Sequence, residues 1–354
     1  MNNPVLFGPS LLARSLRAAL RDIESPKLGV RHAAARDLGR YIDGPERLTV
    51  VARLIRAMQT DTDTEVRVSA LMALVDAAAN EAVEDILAVA RQGEPRLRQV
   101  ALLAIGELAE IGSEEGIRVA SEAIHSELPA LRYQALVALR NLQQLGAMDK
   151  IVESARDEDP EVRWVVLRLL EEFWMFDIVS GIDDITRREV EQKVCLALSP
   201  LLNDVESRVR VAATLLLARL GVAEAAEAIS GLLSKKDVKL NKNDEEVAIE
   251  LAGNLRISSA ILGLKRRAWP LFWETPVSWK ARVALAQMGD ERARVAVLES
   301  LHSKLAHKCA RAIEAAGQIG LEQARPRLLA LLQNPTGYDA EAIQTALKRL
   351  GPPA

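Results

Sequence analysis

Four histidines, two cysteines and several adjacent acid pairs are the residues through which this chain could do chemistry. A metal centre would need three or four ligands converging on one ion. His302, His307 and Cys309 come nearest, but spacings of five and two do not place three ligands on one helical face. Glu171/Glu172 and Glu245/Glu246 offer carboxylates, yet adjacent residues on a helix point about 100° apart and are ordinarily solvated. There is no HExxH, CxxC or GxSxG, and no glycine loop that could cradle a phosphate. Cys195 and Cys309 lie far apart inside helical patterns, as small buried hydrophobes of a reducing compartment rather than a disulfide framework. No catalytic residue, metal or cofactor is therefore expected, and binding is the expectation over catalysis.

The elements that carry these residues repeat. Asp61 to Gln92 reads as a polar turn, an amphipathic helix, a break and a second amphipathic helix. In the first helix Val66, Ala70, Leu74 and Ala77 fall at offsets 0, +4, +8 and +11, one narrow arc of the helix. The same stripe recurs from Val30, Leu97, Leu131, Val162, Val209, Val247, Val277, Lys308 and Asp339, at spacings of 36, 31, 34, 31, 47, 38, 30, 31 and 31 residues. A pair that cannot bury its stripe alone needs neighbours on both sides, which is the signature of a solenoid. Gly221, Gly289, Gly320 and Gly351 each follow a +11 position, where a glycine can close a helix in the left-handed region. The expected fold is all-α, a right-handed α-α superhelix of about ten helix pairs over residues 1–354.

Composition agrees. The 354 residues are 49% hydrophobic but only 3% aromatic, which suits close helix packing and argues against a β-rich fold. A net charge of -3 and a pI near 6.0 give no overall footprint for nucleic acid or an anionic membrane. The first residues lack the pattern of a secretory signal, and nothing later is expected to insert in a bilayer. Residues 1–9 are expected as a loose arm. The two long spacings mark inserted loops at 174–185 and 234–244. An irregular aromatic and basic segment, 256–279, holds Lys265, Arg266, Arg267, Trp269 and Trp273, either a secondary binding patch or rings filling an uneven repeat.

The face opposite the stripe, offsets +2, +6 and +9, should be polar if solvated. Instead it reads Val68/Met72/Val75, Gln99/Leu103/Gly106, Tyr133/Val137/Arg140, Trp164/Arg168/Glu171, Val211/Leu215/Ala218, Ile249/Gly253/Arg256 and Trp279/Val283/Ala286. It is either extra core or a surface for a partner. Met72, Leu103, Tyr133, Val137, Trp164, Leu215, Ile249, Trp279 and Val283 are the expected partner-binding residues, with Arg140, Arg168, Glu171 and Arg256 as polar anchors.

Arg31, Arg67, Arg98, Arg132, Arg163 and Arg210 all follow the first stripe residue, and Asp61, Asp157 and Asp204 lie six residues before their arginine. A turn carboxylate then sits near the guanidinium of the same or the adjacent repeat. With these residues, DEDPEVRWVVLRLL (157–170) and NDVESRVRVAATLLLARLG (203–221) resemble HEAT repeats, and the 31-residue spacing is most like the short kind in phycocyanobilin lyases. The resemblance implies that the Val-Arg helices line a concave groove and that Asp61/Arg67, Asp157/Arg163 and Asp204/Arg210 are rungs of a structural polar ladder. From the seventh register on the arginine is replaced, which departs from that pattern. The histidines precede Ala33, Ser126, Ser303 and Lys308, so the His-Glu pairs of iron-binding HEAT hydroxylases are missing. The functional expectation is a cytoplasmic, non-enzymatic scaffold or adaptor holding a helix or peptide of another protein. Two alternatives stay open: a nucleic-acid-binding or DNA-repair HEAT protein using residues 235–279, which the acidic balance counts against, and a bilin lyase or tetrapyrrole-handling protein.

Overall fold

The computed structural model describes residues 14–108, 114–142, 145–175, 183–234, 240–270, 274–333 and 338–352. Among them every regular element is helical, so the chain is all-α. It divides into two units, residues 1–183 and 184–354. The first unit holds α1 (Leu16–Asp22), α2 (Leu28–Leu38), α3 (Arg47–Thr60), α4 (Thr64–Asp76), α5 (Val83–Gln92), α6 (Pro95–Leu108), α7 (Glu114–Ala123), α8 (Pro129–Asn141), α9 (Leu145–Glu153) and α10 (Pro160–Met175). The second holds α11 (Asp184–Leu198), α12 (Ser207–Arg219), α13 (Ala223–Ser234), α14 (Lys242–Asn254), α15 (Ile261–Ala268), α16 (Pro276–Gln287), α17 (Glu291–Ser300), α18 (Ala306–Ile319), α19 (Arg325–Gln333) and α20 (Ala340–Leu350).

Within each unit the even helices lie side by side in chain order, from α2 to α10 and from α12 to α20. Each odd helix packs on an even neighbour in sequence, giving two layers with the stripe between them. Val66, Leu74, Leu97, Leu131, Leu139, Val162 and Phe173 are fully buried there. The local chemistry is explicit. Asp63 and Asp159 accept backbone N–H bonds from Glu65 and Glu161 at the starts of α4 and α10. Pro95, Pro129, Pro160 and Pro276 open helices where a missing N–H costs nothing.

The helix ends fix the register. Ala79, Val222, Ile257, Asp290 and Leu321 each donate a backbone N–H to the carbonyl five residues earlier, and the residue before each has positive φ. Gly221, Gly289 and Gly320 fill that left-handed place as expected, but Ala78 and Arg256 fill it too, at φ 46° and 51°. Gly351 also has positive φ, though its ψ of -170° lies outside the left-handed helical region. With Arg256 as the cap, the seventh stripe starts at Asp244 rather than Val247. Its buried members are Ala248 and Ala252, whereas Val247 is half-buried and Ser258 exposed.

The shifted register explains a second regularity. Gly39, Gly106, Gly253 and Gly317 now share offset +9, and each faces the +7 alanine of the next even helix. A Cβ built on Gly253 or Gly317 would lie 2.7 Å from the Cα of Ala284 or Ala346. Offset +9 therefore points at the neighbouring helix, not at solvent. The segment expected as loop at 234–244 contains the start of α14, and 256–279 contains the whole of α15, a regular second helix. Residues 1–9 and 176–182 lie outside the described residues.

Candidate functional site

In the first unit the outward offsets of the even layer are +2 and +6. They carry Val68 and Met72 on α4, Leu103 on α6, Tyr133 and Val137 on α8, and Trp164 on α10, all half-buried. Four adjacent helices therefore present apolar side chains at one level, because α4, α6, α8 and α10 are successive neighbours. The expected polar anchors are held beside them: Arg140 pairs with Glu172 across to α10 at 2.9 Å, and Arg168 with Glu171 at 2.7 Å. A cleft between α2 and α4 extends the same face and is lined by His32, Arg36, Val68 and Met72.

The second unit corrects part of the expectation. Leu215 and Ile249 are buried, at 4% and 0% exposure, and belong to the core rather than to an open surface, while Val283, at 8%, leaves only an edge on a cleft. For Ile249 the cause is the three-residue shift, which moves it to offset +5. Arg256 is exposed and occupies the left-handed helix cap. Val75, Ala218 and Ala286, at offset +9, are buried against neighbouring helices for the reason given by the glycines. Trp279 keeps a half-buried position and lies under the Arg311 guanidinium, 5.3 Å from ring centroid to Cζ. Sequence reasoning missed Arg311. It sits at offset +3, outside the offsets scanned, and only a search for a cation one helix along from a tryptophan would have found it.

The ladder exists with different wiring. Arg31 forks onto Asp61 with bonds of 2.8 and 3.0 Å, and Arg132 onto Asp157 with two of 2.7 Å. Each arginine thus grips the carboxylate of the next turn while its remaining nitrogen donates to carbonyls of its own turn, Ser25 and Pro26 or Ser126 and Glu127. The expected same-repeat pairs are corrected: Arg67 donates to Met58 O, Arg163 to Asp157 O and Glu158 O, and Arg210 to Asp204 O and Val205 O. A spacing of six brings the Arg163 and Arg210 guanidinium groups to carbonyls of the turn before their helix, while Arg67 reaches an acceptor in the last turn of α3, an orphan that needs a donor. Cys309, which replaces the arginine in the ninth repeat, likewise donates to Leu301 O. Burial works against the charge on Asp61, but the Arg31 hydrogen bond, the Asp63 N–H and both arginine charges prevail and lower its pKa.

The basic and aromatic patch is largely spent on the fold. Lys265 pairs with Asp290 at 3.1 Å and Arg267 with Glu245 at 2.7 Å, while Arg266 is exposed. Trp269 is half-buried beneath Arg292, 4.2 Å from centroid to Cζ, and Trp273 lies outside the described residues. Of the three basic residues 265–267, two are thus held in ion pairs, while Lys235, Lys236 and Lys239 lie outside the described residues. Burial and then the Glu191 charge push the Cys195 thiol up, so it stays protonated and a poor nucleophile. Among the described residues no group of three or more His, Cys, Asp or Glu could hold a metal, and no helix is long and apolar enough to cross a membrane.

No family model and no curated protein matches the chain. Solved structures do. An engineered protein is similar at 17% identity and a TM-score of 0.50, over 96% of this chain and 99% of that one. A chain of a structure of Kap95p with RanGDP, a HEAT-type solenoid, is similar at 15% identity and a TM-score of 0.53, over 95% of this chain. This chain spans half of that one's length. These likenesses establish a helical-repeat fold.

Proposed function

We propose that the protein is a non-enzymatic scaffold or adaptor that holds a helix or extended segment of another protein against the even-helix layer of its first unit. The supporting observation is the half-exposed apolar run Met72, Leu103, Tyr133, Val137 and Trp164 on four adjacent helices. Core residues of this fold are shut off completely, whereas these remain half open where polar residues would serve a solvated face. Tyr133 and Trp164, on neighbouring helices, are the anchors, since aromatic side chains with polar neighbours commonly dominate such interfaces. Arg140, Arg168 and their glutamate partners supply the rim that fixes direction. Two free cysteines fit a reducing compartment, and the cytoplasm is the proposed location. The short-repeat, lyase-like resemblance lends repeat geometry to this reading but no tetrapyrrole site.

The test is comparative capture from the native host with the wild-type chain and the Tyr133→Ala, Trp164→Ala double variant. Proteins recovered by the wild type should be lost with the variant, while the two chains melt alike. A partner recovered equally by both would reject this face as the binding surface.

A further inference from the structure

A cleft of about 290 Å³ opens on the second unit between α14, α16 and α18. Its floor is apolar, made of Trp279, Val283, Ala284 and Ala315. Three charged side chains around it have no partner among the described residues: Arg311, Glu250 and Glu314 make no ion pair or hydrogen bond. The fourth charge lining the cleft, Lys280, is matched to Glu246 at 3.0 Å. Three of the four charges around the cleft are therefore unmatched.

Arg311 is the most informative of them. Its Nε is buried with no acceptor, a position that costs free energy unless something completes it. Glu314 lies three residues on along α18, a spacing at which ion pairs form readily, yet Arg311 turns to the Trp279 ring instead. A guanidinium lying over a ring keeps its N–H groups in its own plane, where a carboxylate can accept two at once. The exposed Glu250 and Glu314 oppose a polyanion such as nucleic acid but welcome cations beside that carboxylate.

We propose that this cleft is a second docking site, which takes a peptide segment of another protein with one acidic side chain on Arg311 and flanking basic side chains on Glu250 and Glu314. The apolar stem of the bound segment covers Trp279 and the exposed edge of Val283. The site is independent of Tyr133 and Trp164, which lie on the other unit.

A random dodecapeptide library displayed on phage, selected on the full chain, supplies the probe, and enriched peptides are resynthesised for titration. They should carry an acidic residue between basic ones. Arg311→Met should weaken them by at least about tenfold, and Arg311→Lys by less, because the charge survives while the fork is lost. Glu250→Gln with Glu314→Gln should also weaken them. The Tyr133→Ala, Trp164→Ala variant should bind them as the wild type does, which separates this site from the first-unit face. Thermal melts monitor folding, and Arg311→Lys serves if Arg311→Met unfolds. The proposal is overturned if no peptide is enriched, if the enriched peptides lack a carboxylate, if neither Arg311 variant changes their affinity, or if an oligothymidine binds through Arg311 in their place.

Discussion

The approach of α18 to α20 rests on a missing methyl group, and replacing it measures that approach. In Gly317→Ala the new Cβ would stand 2.7 Å from Ala346 Cα and 3.0 Å from its Cβ. Carbon atoms need about 3.5 Å, so the helices must part by roughly 0.8 Å or bend. Overpacking of this kind costs about 1–3 kcal/mol, while alanine gains about 0.8–1 kcal/mol over glycine within a helix. Gly231→Ala in α13 is the matched control, since its new methyl meets nothing within 4 Å. It should stabilise by up to about 1 kcal/mol through the same propensity term. The difference between the two variants cancels that term and isolates the contact at roughly 1–3 kcal/mol. Urea unfolding followed by far-UV circular dichroism reads it, provided the slopes agree. If Gly317→Ala proves as stable as Gly231→Ala, the even helices do not approach as described and the shared +9 offset means nothing.

Asp157→Asn removes the charge facing Arg132, whose side chain is 8% exposed, and should cost roughly 3 kcal/mol in the same unfolding assay, at the low end for a broken buried pair because Glu158 remains 3.5 Å away. Asp61 has a lowered folded pKa, so its contribution is complete above the ordinary aspartate value of 3.8 and is lost as pH falls through the lower folded value. The stability gap between wild type and Asp61→Asn should hold constant near neutrality and close below about pH 4 in acid titrations followed by circular dichroism. A gap unchanged down to acid unfolding would show that the Arg31 pair contributes nothing. Arg256→Gly relieves a left-handed residue and should stabilise by about 1 kcal/mol without altering any partner affinity. Loss of binding there would restore Arg256 as an anchor.

The repeat was legible because burial imposes a period: offsets 0, +4, +8 and +11 are apolar in most helices, and the +4 and +8 residues are shut away in nearly all of them. The seventh register was misread by three residues because its left-handed cap is Arg256, and φ leaves no trace in residue type when the residue is not glycine. Gly253 was the signal available, since it matches Gly39, Gly106 and Gly317 only in the corrected frame. That one slip placed Ile249 on the surface and hid the helix cap at Arg256. The ladder was legible in its residues but not in its wiring, because a spacing of six is compatible with the carboxylate or with backbone oxygens, and only coordinates tell them apart. Of the expected binding face, the first-unit members stay half open, whereas Leu215 is closed by packing that a single-helix projection cannot contain.

The central claim, that the even layer of the first unit receives a partner, is tested most directly by a photo-activated crosslinker placed at Val137, between Tyr133 and Arg140. The account expects one discrete adduct in the native host from this position, lost when Tyr133 and Trp164 are both alanine, and none from the crosslinker at exposed Glu122 on α7. Equal adducts from both positions, or the same adduct in the double variant, would contradict it.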